Sequence, residues 1–221
     1  MAVKDRIVHS SIGSKFIVAS SGLALIGFVL SHIAGNLLIF AGPEAFNAYP
    51  AKLRELGPLL WVARAGLLLA FLAHVFFAMK LTRENRLARP IRYAKEATIQ
   101  ASWASTHMIH TGLVILAFLI FHLAHFTFRI TDAQVASHGA FEVYEMVTSA
   151  FRDPMVYATY VVAMIAVGFH LSHGLSSFMQ TLGFNHPLYN QAIRSAGRWL
   201  AWLIALLYIS IPTAAFMGVI G

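Results

Sequence analysis

The sequence predicts an all-α integral membrane protein in which five transmembrane helices form one bundle. Of its 221 residues, 58% are hydrophobic and 11% are charged, and the mean hydropathy is +0.69. This composition is too apolar for a soluble domain. The apolar residues fall in five runs, each close to the roughly 20 residues that a helix needs to cross the hydrocarbon core of a bilayer. The connections are short, so residues 1–221 are expected to form a single transmembrane domain.

The predicted spans follow the five apolar runs, which are Phe16–Phe40, Leu59–Leu81, Met108–Phe128, Val156–Leu182 and Trp199–Val219. The first run exceeds the roughly 7–15-residue apolar core of a signal peptide, so we expect it to be retained as a span. Pro212 lies in the last run and is predicted to kink that helix.

The positions of Lys and Arg predict how the bundle is oriented. Eleven of the sixteen basic residues lie before the first span, between the second and third, or between the fourth and fifth. Because cytoplasmic loops carry the excess of Lys and Arg, the N-terminus is predicted to be cytoplasmic and the C-terminus outside. The net charge of +7 is then a topology signal, and nucleic acid is not an expected partner. The basic side carries Lys4, Arg6, Lys15, Lys80, Arg83, Arg86, Arg89, Arg92, Lys95, Arg194 and Arg198.

The sequence contains no cysteine, which excludes several redox chemistries. This chain cannot hold an iron–sulfur cluster, a disulfide, a thiolate metal site or a haem attached through a C-x-x-C-H motif. A redox metal must therefore be held by nitrogen, oxygen or methionine sulfur.

Four histidines lie one each inside four of the predicted spans: His32, His74, His122 and His170. An imidazole at membrane depth is costly and marks a functional site by default. With the predicted orientation, His32 and His122 lie in the outer half of the membrane, and His74 and His170 lie deeper toward the cytoplasm. Two pairs of imidazoles are the axial ligands that two b-type haem irons take. Because such ligation leaves no open coordination position, it suits electron transfer.

Spacing alone leaves two of these assignments open. His125 follows His122 by three residues, and His173 follows His170 by three, so each couple shares one helix face. A haem-free, His-lined proton or metal transporter is an alternative of a different class. The scarcity of Asp, Glu and Lys in the membrane segments argues against it.

Six segments together resemble the cytochrome b subunit of succinate:quinone oxidoreductase, in its single-anchor, five-helix, two-haem class. They cover nearly the whole chain in order. The segments are SSIGSKFIVASSG from Ser10, SHIAGNL from Ser31, AHVFFAMKLTRENRLAR from Ala73, ASWASTHM from Ala101, IFHLAHF around His122 and FHLSHGLSSFMQTLGFNHPLY from Phe169.

The resemblance implies a specific ligand set. It places the third-span ligand at His122 and the fourth-span ligand at His170, so that His32 and His122 hold one haem b while His74 and His170 hold the other. The domain would then be a dihaem cytochrome b.

The resemblance also implies partners and a location. A flavoprotein subunit oxidises succinate, and an iron–sulfur subunit passes the electrons to this anchor, which delivers them to menaquinone or ubiquinone in the bacterial cytoplasmic membrane. The anchor of a quinol:fumarate reductase is the alternative, because the same parts serve the reverse reaction. The basic connection Lys80–Lys95 is a candidate docking surface, and Ser14, Lys15 and Trp103 are candidates for contact with a haem propionate or quinone.

Overall fold

A computed structural model describes residues 10–88, 101–139 and 142–221, and all regular secondary structure in these ranges is helical. Five helices are long and apolar enough to cross a membrane, which confirms the predicted fold class. These are α1 (Ser11–Asn36, continued by a 3-10 turn at Leu37–Ala41), α3 (Pro58–Leu87), α5 (Met108–His122, continued by a π-helical turn at Leu123–Thr127), α8 (Pro154–Thr181) and α9 (Pro187–Phe216). The shorter helices are α2 (Pro43–Glu55), α4 (Trp103–Thr106), α6 (Ala133–Ser137) and α7 (Val143–Ala150).

Local capping signals explain where the long helices begin. The Ser10 hydroxyl accepts a hydrogen bond from the Gly13 amide at 2.9 Å at the start of α1. Asp153 accepts hydrogen bonds from the first two free amides of α8, at 2.7 and 3.1 Å. Proline occupies the first position of α3, α8 and α9, where its missing amide proton costs nothing.

The first four spans match the predicted apolar runs closely, whereas the last span begins much earlier. α9 starts at Pro187 rather than at Trp199 and runs on through Pro212 to Phe216. Its first three turns mix polar and apolar residues, so hydropathy predicted only the later part of the helix, which suits hydrocarbon. The orientation of the bundle relative to the two sides of a membrane stays a prediction.

α8 is the central helix of the bundle. It packs against α9, α5 and α1, and buried residues occur along its length from Tyr160 to Ser176. Small residues permit this close packing, as at Gly168, where an added Cβ would lie 2.9 Å from the Trp202 ring. α3 packs mainly on α1 and has no buried residue; its exposed apolar side chains suit contact with lipid tails.

The connections after α1 and α5 cover one end of the bundle. The Tyr144 amide on α7 donates to the Asn47 side chain on α2 at 2.9 Å, and the Gly221 amide donates to the Tyr144 hydroxyl at 3.1 Å. An apolar cluster that includes Phe46 and Phe151 fills the space beneath. The last residue of the chain therefore lies at the end of the bundle where α1 and α5 finish.

Candidate metal centres

The bundle brings the four span histidines together as two pairs. The ring centroids of His32 on α1 and His122 on α5 are 6.1 Å apart. Those of His74 on α3 and His170 on α8 are 6.4 Å apart. These pairs agree with the depths in the membrane that the sequence predicted for the histidines.

The spacing within each pair fits two imidazoles on one metal ion. A metal–nitrogen bond is about 2 Å long and the ring centre lies roughly 1 Å further back, so two such rings have centres about 6 Å apart. Among the described residues, no group of three or more His, Cys, Asp or Glu side chains is placed to hold a metal by itself. Two facing imidazoles are the donor set of a haem whose macrocycle fills the remaining positions.

The hydrogen bonds of the His74–His170 pair leave Nε2 free for a metal. His74 Nδ1 lies 3.2 Å from the Val18 carbonyl, which only accepts, so Nδ1 must carry the proton. His170 Nδ1 lies 3.2 Å from Thr111 Oγ1. The Thr111 hydroxyl donates to the Met108 carbonyl at 3.1 Å, so it accepts from His170. Such partners fix the tautomer and orientation of metal-binding histidines.

Glycines on neighbouring helices make room for the same two rings. A Cβ added at Gly22 on α1 would lie 3.2 Å from Cε1 of His74. A Cβ added at Gly112 on α5 would lie 3.4 Å from Cε1 of His170. The lack of side chains at Gly22 and Gly112, which we call the glycine cradle, leaves the space that the two imidazole rings occupy.

One tyrosine hydroxyl is shared at the His32–His122 pair. Tyr160 Oη on α8 lies 3.1 Å from His122 Nδ1 and 3.2 Å from His125 Nδ1. His32 stacks on Phe28, with ring centroids 5.2 Å apart, and its ring lies 6.2 Å from that of Tyr208. This pair is therefore surrounded mainly by aromatic side chains.

The geometry separates the histidines that spacing could not. His122 and His170 face the histidine of another span, as described above. His125 instead has the rings of Phe121, Phe126 and Tyr160 as neighbours and is 1% exposed. It lies in the π-helical turn that follows His122, which changes the direction in which side chains leave the helix.

Ser14, Lys15 and Trp103 lie toward the end of the bundle nearer the His74–His170 pair. Ser14 is fully buried, and its hydroxyl accepts a hydrogen bond from Lys80 Nζ at 3.0 Å. Lys15 is exposed. Trp103 stacks on His107, with centroids 4.3 Å apart, and lies 4.8 Å from the ring of Phe169. Contacts of these side chains with a propionate or quinone stay predictions.

Part of the candidate docking surface Lys80–Lys95 lies outside the described residues, which stop at Ala88 and resume at residue 101. In the described part, Lys80 forms an ion pair with Glu84 at 3.5 Å. Lys4 and Arg6, which entered the orientation argument, also lie outside the described residues.

A cavity of about 680 Å³ opens beside the π-helical turn. It lies near the connection between α5 and α8, and charged, polar and apolar side chains line it. Its lining residues are Phe121, His125, Thr131, Asp132, Ser149, Ala150, Arg152, Asp153 and Val156.

Sequence reasoning missed the residues that hold the imidazoles in place. Val18, Thr111 and Tyr160 are 56, 59 and 38 positions away from the histidines that they contact. Val, Thr and Tyr are ordinary residues of apolar helices, and no local pattern distinguishes these three. Only the packing of the helices brings them to the rings.

One curated protein is similar over most of the chain. It is the "Succinate dehydrogenase cytochrome b558 subunit" of Bacillus subtilis (strain 168), 24% identical in an alignment 197 residues long; the alignment covers 83% of this chain and 85% of that protein. No protein-family model matches the chain, and no solved structure matches it.

Proposed function

We propose that this chain is the membrane-anchor cytochrome b subunit of a succinate:quinone oxidoreductase. It would pass electrons from partner flavoprotein and iron–sulfur subunits through two b haems to a membrane quinone. The observation that carries the proposal is the two pairs of neighbouring imidazoles on four spans, with ring centres at a separation that fits one shared metal ion. The name of the Bacillus subtilis relative supports the choice of enzyme complex.

The two pairs are stacked along the bundle axis. On α8, Tyr160 contacts His122 and lies ten residues before His170. On α5, Gly112 lies beside His170, whose Cε1 would be 3.4 Å from an added Cβ, and Gly112 precedes His122 by ten residues. At 1.5 Å per residue, both helices put the pairs about 15 Å apart. Two centres at this separation would carry electrons across much of a hydrocarbon core that is about 30 Å thick.

The chain's own part in this function is to hold and orient the imidazole nitrogens that would bind the haem iron. A haem iron, when bound, supplies one-electron chemistry by changing between the ferric and ferrous states. The Val18 carbonyl and the Thr111 hydroxyl keep Nε2 of His74 and of His170 deprotonated. Two imidazoles bound to one haem iron would leave no open coordination position, which would exclude dioxygen and favour electron transfer.

A haem-free transporter fits the observations less well. A proton or ion path needs a polar lining, and membrane-embedded acids and bases mark such paths. In the part of the chain that the structure describes, the buried polar side chains are Ser, Thr and one His, with no buried Asp, Glu, Lys or Arg. The same parts would serve a quinol:fumarate reductase, and only turnover in the cell distinguishes the two directions.

The test is a haem count on the complex purified in detergent through this chain. We expect two b haems per chain by pyridine haemochrome and by the dithionite-reduced minus oxidised spectrum, with succinate dehydrogenase subunits co-purifying. His122→Ala and His170→Ala should each lower the count toward one. A purified, folded chain without haem would refute the proposal and favour the transporter.

A further inference from the structure

The hydroxyl of Tyr160 has two imidazole partners but only one proton. A phenol oxygen donates one hydrogen bond and accepts up to two. Nδ1 of His122 and Nδ1 of His125 lie 3.1 and 3.2 Å from it. The positions of the protons on these three residues therefore depend on one another.

Metal binding at His122 selects one arrangement. If Nε2 of His122 binds a metal, its proton is on Nδ1, which then donates to Tyr160 Oη. The Tyr160 proton then points to Nδ1 of His125, the other nitrogen within reach. His125 must in turn carry its own proton on Nε2. The opposite direction would put a proton on Nε2 of His122 and prevent ligation.

The far end of this chain of hydrogen bonds is a buried nitrogen of His125, a residue that lines the cavity. His125 is 1% exposed, and its Nε2 has no hydrogen-bond partner within the described residues. His125 lines the cavity of about 680 Å³, and so do the oxygen-bearing side chains of Thr131, Asp132 and Ser149. The cavity is thus large and polar enough to hold water beside the His125 side chain.

We infer that Tyr160 is a positioning residue that orients and polarises His122 as an axial ligand, and that His125 sets the direction of their hydrogen bond. The inference rests on the proposed function, because it needs a metal bound to His122. Hydrogen bonds in a chain strengthen one another, so a Tyr160 hydroxyl that donates to His125 is a better acceptor for His122. A better acceptor makes the imidazole a more basic ligand, which stabilises ferric over ferrous iron.

The His74–His170 pair offers a built-in comparison. There a threonine hydroxyl, Thr111 Oγ1, occupies the role that Tyr160 has at the other pair. Removing each hydroxyl should therefore change one haem and leave the other unchanged. Tyr157 is one turn from Tyr160 on α8 and stacks on Phe216 at 4.5 Å, so it provides a matched tyrosine control.

The experiment is a redox titration of the purified complex, followed at the haem α-band, with electron paramagnetic resonance of the ferric state. Tyr160→Phe should retain two haems and raise the midpoint potential of one by an amount equal to about a tenfold change in the ferric-to-ferrous ratio, or about 59 mV for one electron. Thr111→Val should shift the other haem. Tyr157→Phe should shift neither.

Variants of His125 test the direction of the hydrogen bond. His125→Leu removes the acceptor of the Tyr160 proton and should shift the same haem as Tyr160→Phe, by a smaller amount. His125→Gln restores an acceptor and should return the potential toward that of the unmodified protein.

Three results would overturn the inference. Tyr160→Phe could leave both potentials and both ferric signals unchanged, Tyr160→Phe and Thr111→Val could shift the same haem, or His125→Leu could have no effect. Absence of two b haems from the unmodified complex would instead refute the proposed function, so the two failures are distinguishable.

Discussion

Replacing Gly22 by alanine tests whether the glycine cradle holds His74 in a metal-binding position. The new Cβ would lie 3.2 Å from His74 Cε1. Carbon atoms pack best at about 3.5–4.0 Å, so the ring must move by a few tenths of an ångström. Metal–ligand distances vary by only about 0.2 Å, so this displacement strains the bond. We expect a loss of haem affinity on the order of tenfold, about 1.4 kcal/mol.

Two further glycines make the experiment quantitative. Gly112→Ala would place a Cβ 3.4 Å from His170 Cε1, so its effect should be smaller. Gly27 lies on the same helix as Gly22, and a Cβ there meets nothing within 4 Å, so Gly27→Ala should have no effect. The assay is the rate at which haem transfers from the purified complex to excess apomyoglobin. Equal rates for Gly22→Ala and Gly27→Ala would refute the reasoning.

Two other predictions concern stability rather than haem binding. Lys80→Leu removes the amine that donates to the buried Ser14 hydroxyl, and this should lower the free energy of unfolding by about 1–3 kcal/mol. Thermal unfolding in detergent measures the loss, and Ser14→Ala should cause a smaller one. A larger loss from Ser14→Ala would contradict the assignment. Gly168→Leu forces a side chain into the Trp202 ring, where even a Cβ would lie at 2.9 Å, and should destabilise the packing of α8 on α9 by about 1–3 kcal/mol. Gly66→Leu is the control, because a Cβ at Gly66 meets nothing within 4 Å. Equal melting temperatures for the two leucine variants would argue against the close packing of Gly168 on Trp202.

Much of the fold followed from the sequence because each span must satisfy its backbone hydrogen bonds within itself. Length and hydropathy were sufficient to find α1, α3, α5 and α8 to within a few residues at most ends. Length and hydropathy placed the start of α9 too late because they identify only the residues suited to hydrocarbon, and this helix begins before those residues. Capping residues such as Asp153 and prolines such as Pro187 carried the missing information about helix starts.

Part of the candidate site could also be predicted. A histidine in an apolar span is costly enough to stand out, and the depth of each one along its span predicted which residues would meet. Depth therefore predicted that His32 would meet His122 or His125 and that His74 would meet His170 or His173. The structure places His32 beside His122 and His74 beside His170. Their role as haem ligands stays a prediction.

The sequence by itself determined the number of spans, the residues that could hold a metal and the chemistries that the absence of cysteine excludes. Only the tertiary structure decided that His122 rather than His125 faces His32, that Gly22 and Gly112 leave space for imidazoles, and that Tyr160 joins two histidines. The physical reason is that composition and periodicity act along one helix. A hydrogen bond between helices depends on the rotation of each about its axis, which the packing of the whole bundle sets.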